Sequence, residues 1–409
     1  MNTLQNIKRI ISNLRIVEYF SVLFVALTLF IPIFFSEIYA TVPNSNDFGP
    51  HTQWASDFLE APQNIPSEVL THPGWQWAVI ISHEIFGHSW QDNAFIVTLS
   101  SVLLTVGILF WMLRKILHPL IAGVLAIGLV VIAPIALLYP LDHQLYLGYI
   151  GINTYHNPTT LLLKPFAILQ FYFASEAFNK RDSNWKSILI TFLVSAVAAF
   201  AKPSYIICLL PAVGIIALVR IWKKQLIDWK RLLIGILIPS IAILVWQFFL
   251  TYTSTEVARI ILAPFSVMLG YAKPPFAQIS QLIKQRIYSV IYIPFKFILS
   301  IIFPAVVTAV FWKESVKDIR MQLGWIGFGF GAVFTYLFAE SYYFSAGNFL
   351  WSGQITLLIL FISCVLFLSE KVLLNMSRIS KWLILTSGSL HVIFGIAYYL
   401  VILLTSRYY

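Results

Sequence analysis

Charge is scarce in this chain. Asp, Glu, Lys and Arg make up only 11% of its 409 residues, against 59% apolar. So few charges cannot cover a water-soluble surface, which leaves a polytopic membrane protein. Cysteine is nearly absent. Cys208 and Cys364 both fall inside apolar runs, so there is no disulfide framework and no metal-ligand spacing. The alternating pattern of barrel strands is missing, and the membrane segments are therefore expected to be helices, which satisfy their own backbone. Internal repeats, evenly spaced span arginines and a filter motif are also lacking, which weakens a transporter or channel reading. Neither GxxxxGK(S/T) nor GxGxxG occurs, so ATP or a nucleotide-sugar is not an expected substrate on the inner face.

What is present is a series of apolar runs, at 16–36, 91–113, 119–141, 159–179, 186–201, 204–222, 232–252, 287–311, 321–339, 349–369 and 382–405. The expectation is an all-α polytopic membrane protein of about eleven transmembrane helices, forming one domain over 1–409. The first run follows Lys8, Arg9 and Arg15 but is too long for a signal-peptide core, so it reads as an uncleaved span. Trp75–Gly87 is short and interrupted by His83 and Glu84, and reads as a re-entrant or interfacial helix. The formal charge of +10 suggests nucleic acid only superficially. Eleven spans with a cytoplasmic N-terminus put nineteen of the 27 basic residues in or beside inner loops, as the positive-inside rule requires. The C-terminus is then extracytoplasmic.

The outer face gathers six of the eight histidines. Its longest loop is 37–90, followed by 142–158, 253–286 and 340–348. In Asn46-Asp47-Phe48-Gly49-Pro50-His51, Asp47 and His51 share a face if a short helix starts here, with Pro50 tolerated in its first turn. Asp47 is then either a general base or the cap of that helix. Asp57 is the fallback acid. His72-Pro73-Gly74-Trp75 reads as a turn into the interfacial helix. His83, Glu84 and His88 have one residue too many for the metalloprotease helix, so zinc proteolysis is rejected. His156-Asn157-Pro158 ends an outer loop, and Lys164 lies about one turn inside the next span, where it either snorkels or meets a lipid phosphate. Lys202 is pinned in a tight turn. Arg259 and Arg286 belong to 253–286, which looks amphipathic and interfacial. Glu340, a sugar contact or a solvated cap at a span end, Tyr342 and Asn348 lie in a segment whose Asn, Trp and Tyr density suits sugar binding.

This pattern resembles the GT-C superfamily of integral membrane glycosyltransferases. The likeness rests on the first-loop acid, the His72-Pro73 element before a re-entrant helix, and Glu340 with Gly347-Asn348-Phe349. It implies a sugar taken from a polyprenyl-phosphate carrier and passed to an extracytoplasmic glycan or lipid, with Asp47 in the place of the catalytic acid. The D-x-D pair and the soluble C-terminal domain of some members are lacking.

The resulting expectation is an inverting transfer in which Asp47 deprotonates the acceptor hydroxyl. Lys164, Lys202, Arg259 and Arg286 would hold the donor phosphate. His51, His72, His156, Asn157, Glu340, Tyr342 and Asn348 would contact sugar or acceptor. No cofactor is required; a divalent metal is compatible with these residues, but nothing indicates one. Expected partners are the polyprenyl-phosphate sugar, the glycan or lipid acceptor and membrane lipids, not nucleic acid. The expected setting is a cell membrane, bacterial plasma membrane first. The rivals are an O-antigen-type polymerase or ligase using lipid-diphosphate glycan, and a transporter or lipid flippase, for which Lys296 and His391 are the best intramembrane residues.

Overall fold

The computed structural model describes residues 2–39, 46–142, 144–145, 147–179, 183–252, 259–271, 286–341, 347–371 and 376–405. Every expected apolar run carries a helix. The first half holds α1 (Asn2–Tyr39), α2 (Phe48–Glu60), α3 (Ser67–Leu70), α4 (Gly74–Phe86), α5 (Trp90–Arg114), α6 (Pro119–Val131), α7 (Tyr139–Asp142), α8 (Pro158–Asn179), α9 (Trp185–Ala201) and α10 (Ile206–Trp222). The second half holds α11 (Ile238–Tyr252), α12 (Ser266–Tyr271), α13 (Ile293–Val310), α14 (Trp312–Ser315), α15 (Ile319–Leu337), α16 (Leu350–Lys371) and α17 (Arg378–Thr405). π-helical stretches, Arg231–Leu237 and Tyr288–Tyr292, lead into α11 and α13.

Among the described residues, seven helical stretches are long and apolar enough to cross a membrane, and three apolar helices are shorter. The chain is an all-α, multi-pass membrane protein. Its centre is α16, with 94% of its apolar window buried inside the protein. Small residues let α15 approach it closely: a Cβ on Gly324 would stand 2.7 Å from Ser363 Oγ. At the periphery, only 17% of the α1 window is buried, and Phe20, Phe24 and Phe35 point outward, as a lipid-facing surface requires. Exposed tryptophans Trp185, Trp222, Trp312 and Trp382 sit at helix ends beside the basic connecting segments, the usual place of interfacial aromatics.

The third run departs from the expected single span. Helix α6 stops at Val131, and the chain is non-helical from Ile132 to Ala136. Pro134 explains the break. It has no N–H, and it pushes Ala133 out of the helical region. The freed backbone groups find partners inside the protein. Asn153 Nδ2 donates to the carbonyls of Leu129 (3.1 Å) and Ile132 (2.8 Å). The Ala133 N–H donates to His391 O, and the Ile135 N–H to Leu299 O. Non-helical backbone is tolerated at membrane depth only under such cover.

Two three-residue strands are an addition to the all-α expectation. β1 (Ile260–Leu262) pairs antiparallel with β2 (Phe338–Glu340), Ile260 opposite Glu340. The described part of 253–286 is thus tied to the end of α15 by a backbone ladder. Its residues 253–258 and 272–285 lie outside the described residues.

Candidate active site

The first loop begins later than expected, because α1 continues through Glu37 to Tyr39. Helix α2 then starts at Phe48, with Asp47 at its N-cap position. Asp47 does not cap it: its side chain makes no capping bond. Asn46 does that work, its Oδ1 accepting from the Phe48 N–H at 3.0 Å. The local chemistry favours this division. Capping side chains bond the N–H of the second or third helical residue, and the third here is Pro50, which has none.

The Asp47 carboxylate reaches across the protein instead. Its Oδ2 accepts from Asn157 Nδ2 at 2.6 Å, and the Asp47 N–H donates to His156 O at 3.2 Å. Asn157 Oδ1 accepts in turn from Lys202 Nζ (3.2 Å) and from Thr159 Oγ1 (3.0 Å). Lys202 Nζ also donates to Thr159 Oγ1 at 2.9 Å and lies 4.5 Å from the centre of the Trp351 ring. Lys202 is only 5% exposed. Burial pushes its ammonium down to about 7, with the Asp47 carboxylate pulling the other way.

Three histidines surround this network. Gln76 Nε2 donates to His51 Nδ1 at 2.7 Å, and the His51 ring packs edge-on against Trp54 and Trp75. His72 Nδ1 lies 2.8 Å from Thr71 Oγ1. The His156 ring is tilted against Trp351. Burial and then the Lys202 ammonium hold all three below the ordinary histidine value: His51 well below it, His72 at about 3, and His156 at about 4 although Asp47 acts to raise it. They are neutral at physiological pH, able to donate and accept at once. Helix α4 brings His72 here by a close approach. A Cβ on Gly74 would stand 2.7 Å from Ala201 Cα, so the turn before α4 lies against the residue preceding Lys202.

The other expected residues are elsewhere. Lys164 Nζ donates to Asn153 Oδ1 at 2.8 Å, deep in the core. It thereby supports the side chain that covers the broken end of α6. Arg259 and Arg286 are exposed, and among the described residues no hydrogen bond or ion pair links them to Asp47 or Lys202. Asn348 Nδ2 donates to Glu340 Oε2 at 2.8 Å, beside the β1–β2 ladder. Tyr342 lies outside the described residues. Asp57, in the last turn of α2, accepts from Gln53. Among the described residues no three His, Cys, Asp or Glu side chains group to hold a metal ion.

Sequence reasoning missed Thr159, Gln76 and Glu37. Their signals were weak: Thr159 and Gln76 are neutral polar residues within helices, and Glu37 ends an apolar run. It also missed Asp142 as the partner of Lys296. The two form an ion pair at 2.5 Å with both side chains fully buried. The Lys296 Nζ lies 4.7 Å from the Tyr149 ring and donates to Leu147 O and Tyr288 Oη. A cleft of about 520 Å³ between α13 and α15, lined by Thr308, Trp312 and Trp325, contains none of the expected site residues. No family model matches the chain, and no curated protein matches it either.

Proposed function

We propose that this protein is a GT-C-like glycosyltransferase, moving a sugar from a polyprenyl-phosphate carrier to an extracytoplasmic glycan or lipid. The observation that carries the reading is the Asp47–Asn157–Lys202 network. It joins a carboxylate released from helix capping to a buried lysine through one amide. Asp47 Oδ1 has no hydrogen-bond partner among the described residues and is the oxygen offered to an acceptor hydroxyl. In the proposed step this oxygen takes the hydroxyl proton while the acceptor oxygen bonds to C1 of the sugar. The C1–O bond to phosphate breaks with inversion, and the polyprenyl phosphate leaves against Lys202. A fixed cation in a dry site stabilises that leaving charge more than one in water. His51, His72 and His156 hold donor or acceptor hydroxyls, and Trp351 offers a ring beside them. The reaction needs no cofactor and no nucleic acid.

The proposed topology has eleven crossings, the N-terminus in the cytoplasm, the C-terminus outside, and the site on the extracytoplasmic face of a cell membrane, in a bacterium the plasma membrane. The basic residues in the segments beside the exposed helix-end tryptophans support that orientation.

The test is release of polyprenyl phosphate from polyprenyl-phosphate glucose, mannose and arabinose by protein in nanodiscs. Asp47→Asn should lower release by about 100-fold or more, the usual size of a general-base contribution. Wild-type rates in that variant, or no release from any donor by the unaltered protein, sink the reading. Release from lipid-diphosphate glycan alone would favour the polymerase or ligase class.

A second reading, a transporter or lipid flippase, draws on the fully buried Asp142–Lys296 pair beside the broken end of α6. Ionisable pairs and interrupted helices inside a membrane domain mark transport sites. Counterflow of the same donors in liposomes without release of polyprenyl phosphate would favour it.

A further inference from the structure

Glu37 has no place in the proposed reaction, yet it is a costly residue to keep. It sits in the last turn of α1, 3% exposed, with Oε1 buried and unpartnered among the described residues. No cation pairs with it among those residues. An apolar side chain would be cheaper at such a position.

What Glu37 does hold is Asn46. The Asn46 Nδ2 donates to Glu37 O at 2.7 Å and to Glu37 Oε2 at 3.0 Å. An asparagine side chain has one donor end and one acceptor end. The Glu37 main-chain carbonyl can only accept, and the side-chain Oε2 adds a second acceptor beside it, so the donor end must face α1. The acceptor end, Oδ1, is then turned to the Phe48 N–H. Reversing the amide would set its oxygen against two other oxygens and lose all three bonds. The relay therefore reads in one direction only.

We propose that Glu37 is a positioning residue for the site: it fixes the orientation of Asn46, Asn46 caps α2, and the Asp47 carboxylate stays free of the helix end. This rests on the reading of Asp47 as the base. Without the relay the start of α2 has an unpaired N–H beside a carboxylate. The freed N–H is that of Phe48, and Asp47, at the N-cap position, can then turn its carboxylate to the helix end, where Gly49 offers the capping N–H because Pro50 has none. A base engaged with backbone N–H groups is a weaker base.

The experiment compares Glu37→Leu, Glu37→Gln, Asn46→Ala and Asp47→Asn with unaltered protein in nanodiscs. Release of polyprenyl phosphate from the best donor of the panel is followed against pH, with melting temperature recorded for each variant. Asn46→Ala should lower kcat tenfold or more, and Glu37→Leu, which keeps the main-chain carbonyl, fivefold or more, each with KM for the donor unchanged within twofold. The acid limb of their kcat profiles should move to lower pH. Glu37→Gln keeps an acceptor for Asn46 and should stay within threefold of unaltered protein. A purely structural Glu37 would lower the melting temperature without moving the acid limb. An unmoved limb and normal kcat in Asn46→Ala overturn the proposal even if Glu37→Leu does not fold. Loss in Glu37→Gln equal to that in Glu37→Leu also overturns it. If Asp47→Asn retains full activity, the base assignment itself has failed; if Asp47→Asn is inactive and the relay variants are normal, only the positioning role has failed.

Discussion

The Asn157 amide donates to the Asp47 carboxylate at 2.6 Å, joining residues 110 positions apart. This one bond ties the first loop to the start of α8. The same side chain accepts from Lys202, so Asn157 is the hinge of the whole network.

Asn157→Leu should therefore remove four bonds at once, those to Asp47, Lys202, the Thr159 hydroxyl and the Thr160 N–H. It leaves the buried Lys202 without one of its acceptors and Asp47 without its donor. The expected cost is about 1–3 kcal/mol, the range for an orphaned buried polar group. Thermal unfolding in detergent measures it. Release of polyprenyl phosphate should fall at least tenfold, because Asp47 loses the contact that aims it.

Lys202 gives the site a pH dependence whose sign is set by burial. Its folded value, about 7, lies below the ordinary lysine value of 10.5. Between these two the unfolded chain holds a proton that the folded protein has released, so stability rises with pH through that window. The charged form that grips a phosphate is lost over the same range. Polyprenyl phosphate should thus bind more weakly as pH rises past about 7. Lys202→Met should flatten both dependences, read by thermal melts and by titration calorimetry.

His156 works at the other end of the scale. Burial holds it near 4, below the ordinary value of 6.5, so the folded protein favours its neutral form. The stability this gives is present above 6.5 and is lost as pH falls toward 4, where the unfolded chain binds the proton first. Melting temperature should drop over that interval. His156→Gln, neutral at every pH, should make the drop shallower.

The Asp142–Lys296 pair makes a sharper prediction. Both side chains are fully buried, so removing one leaves a bare charge. Lys296→Met alone should cost about 3–5 kcal/mol, whereas Asp142→Leu with Lys296→Met should recover most of that loss. Unfolding melts of the single and double variants decide it. A double variant as unstable as the single would show that Tyr149, Tyr288 and the surrounding backbone depend on the charges themselves.

The sequence alone determined the membrane character, the positions of the helices and the polar first loop. Each follows from local composition, since a run of apolar residues has only the helix open to it in lipid. It also carried two signals that a local reading can recover: Pro134, which ends α6, and Pro50, which removes one of the two N–H donors an Asp47 cap could use. The tertiary structure decided which polar residues meet. Nothing local in 153–164 tells that Asn157 reaches Asp47 and Lys202 while Lys164 turns to Asn153. The difference is one of range. Hydropathy adds up along a segment, whereas a hydrogen bond between loops exists only once packed helices have fixed where each loop lies.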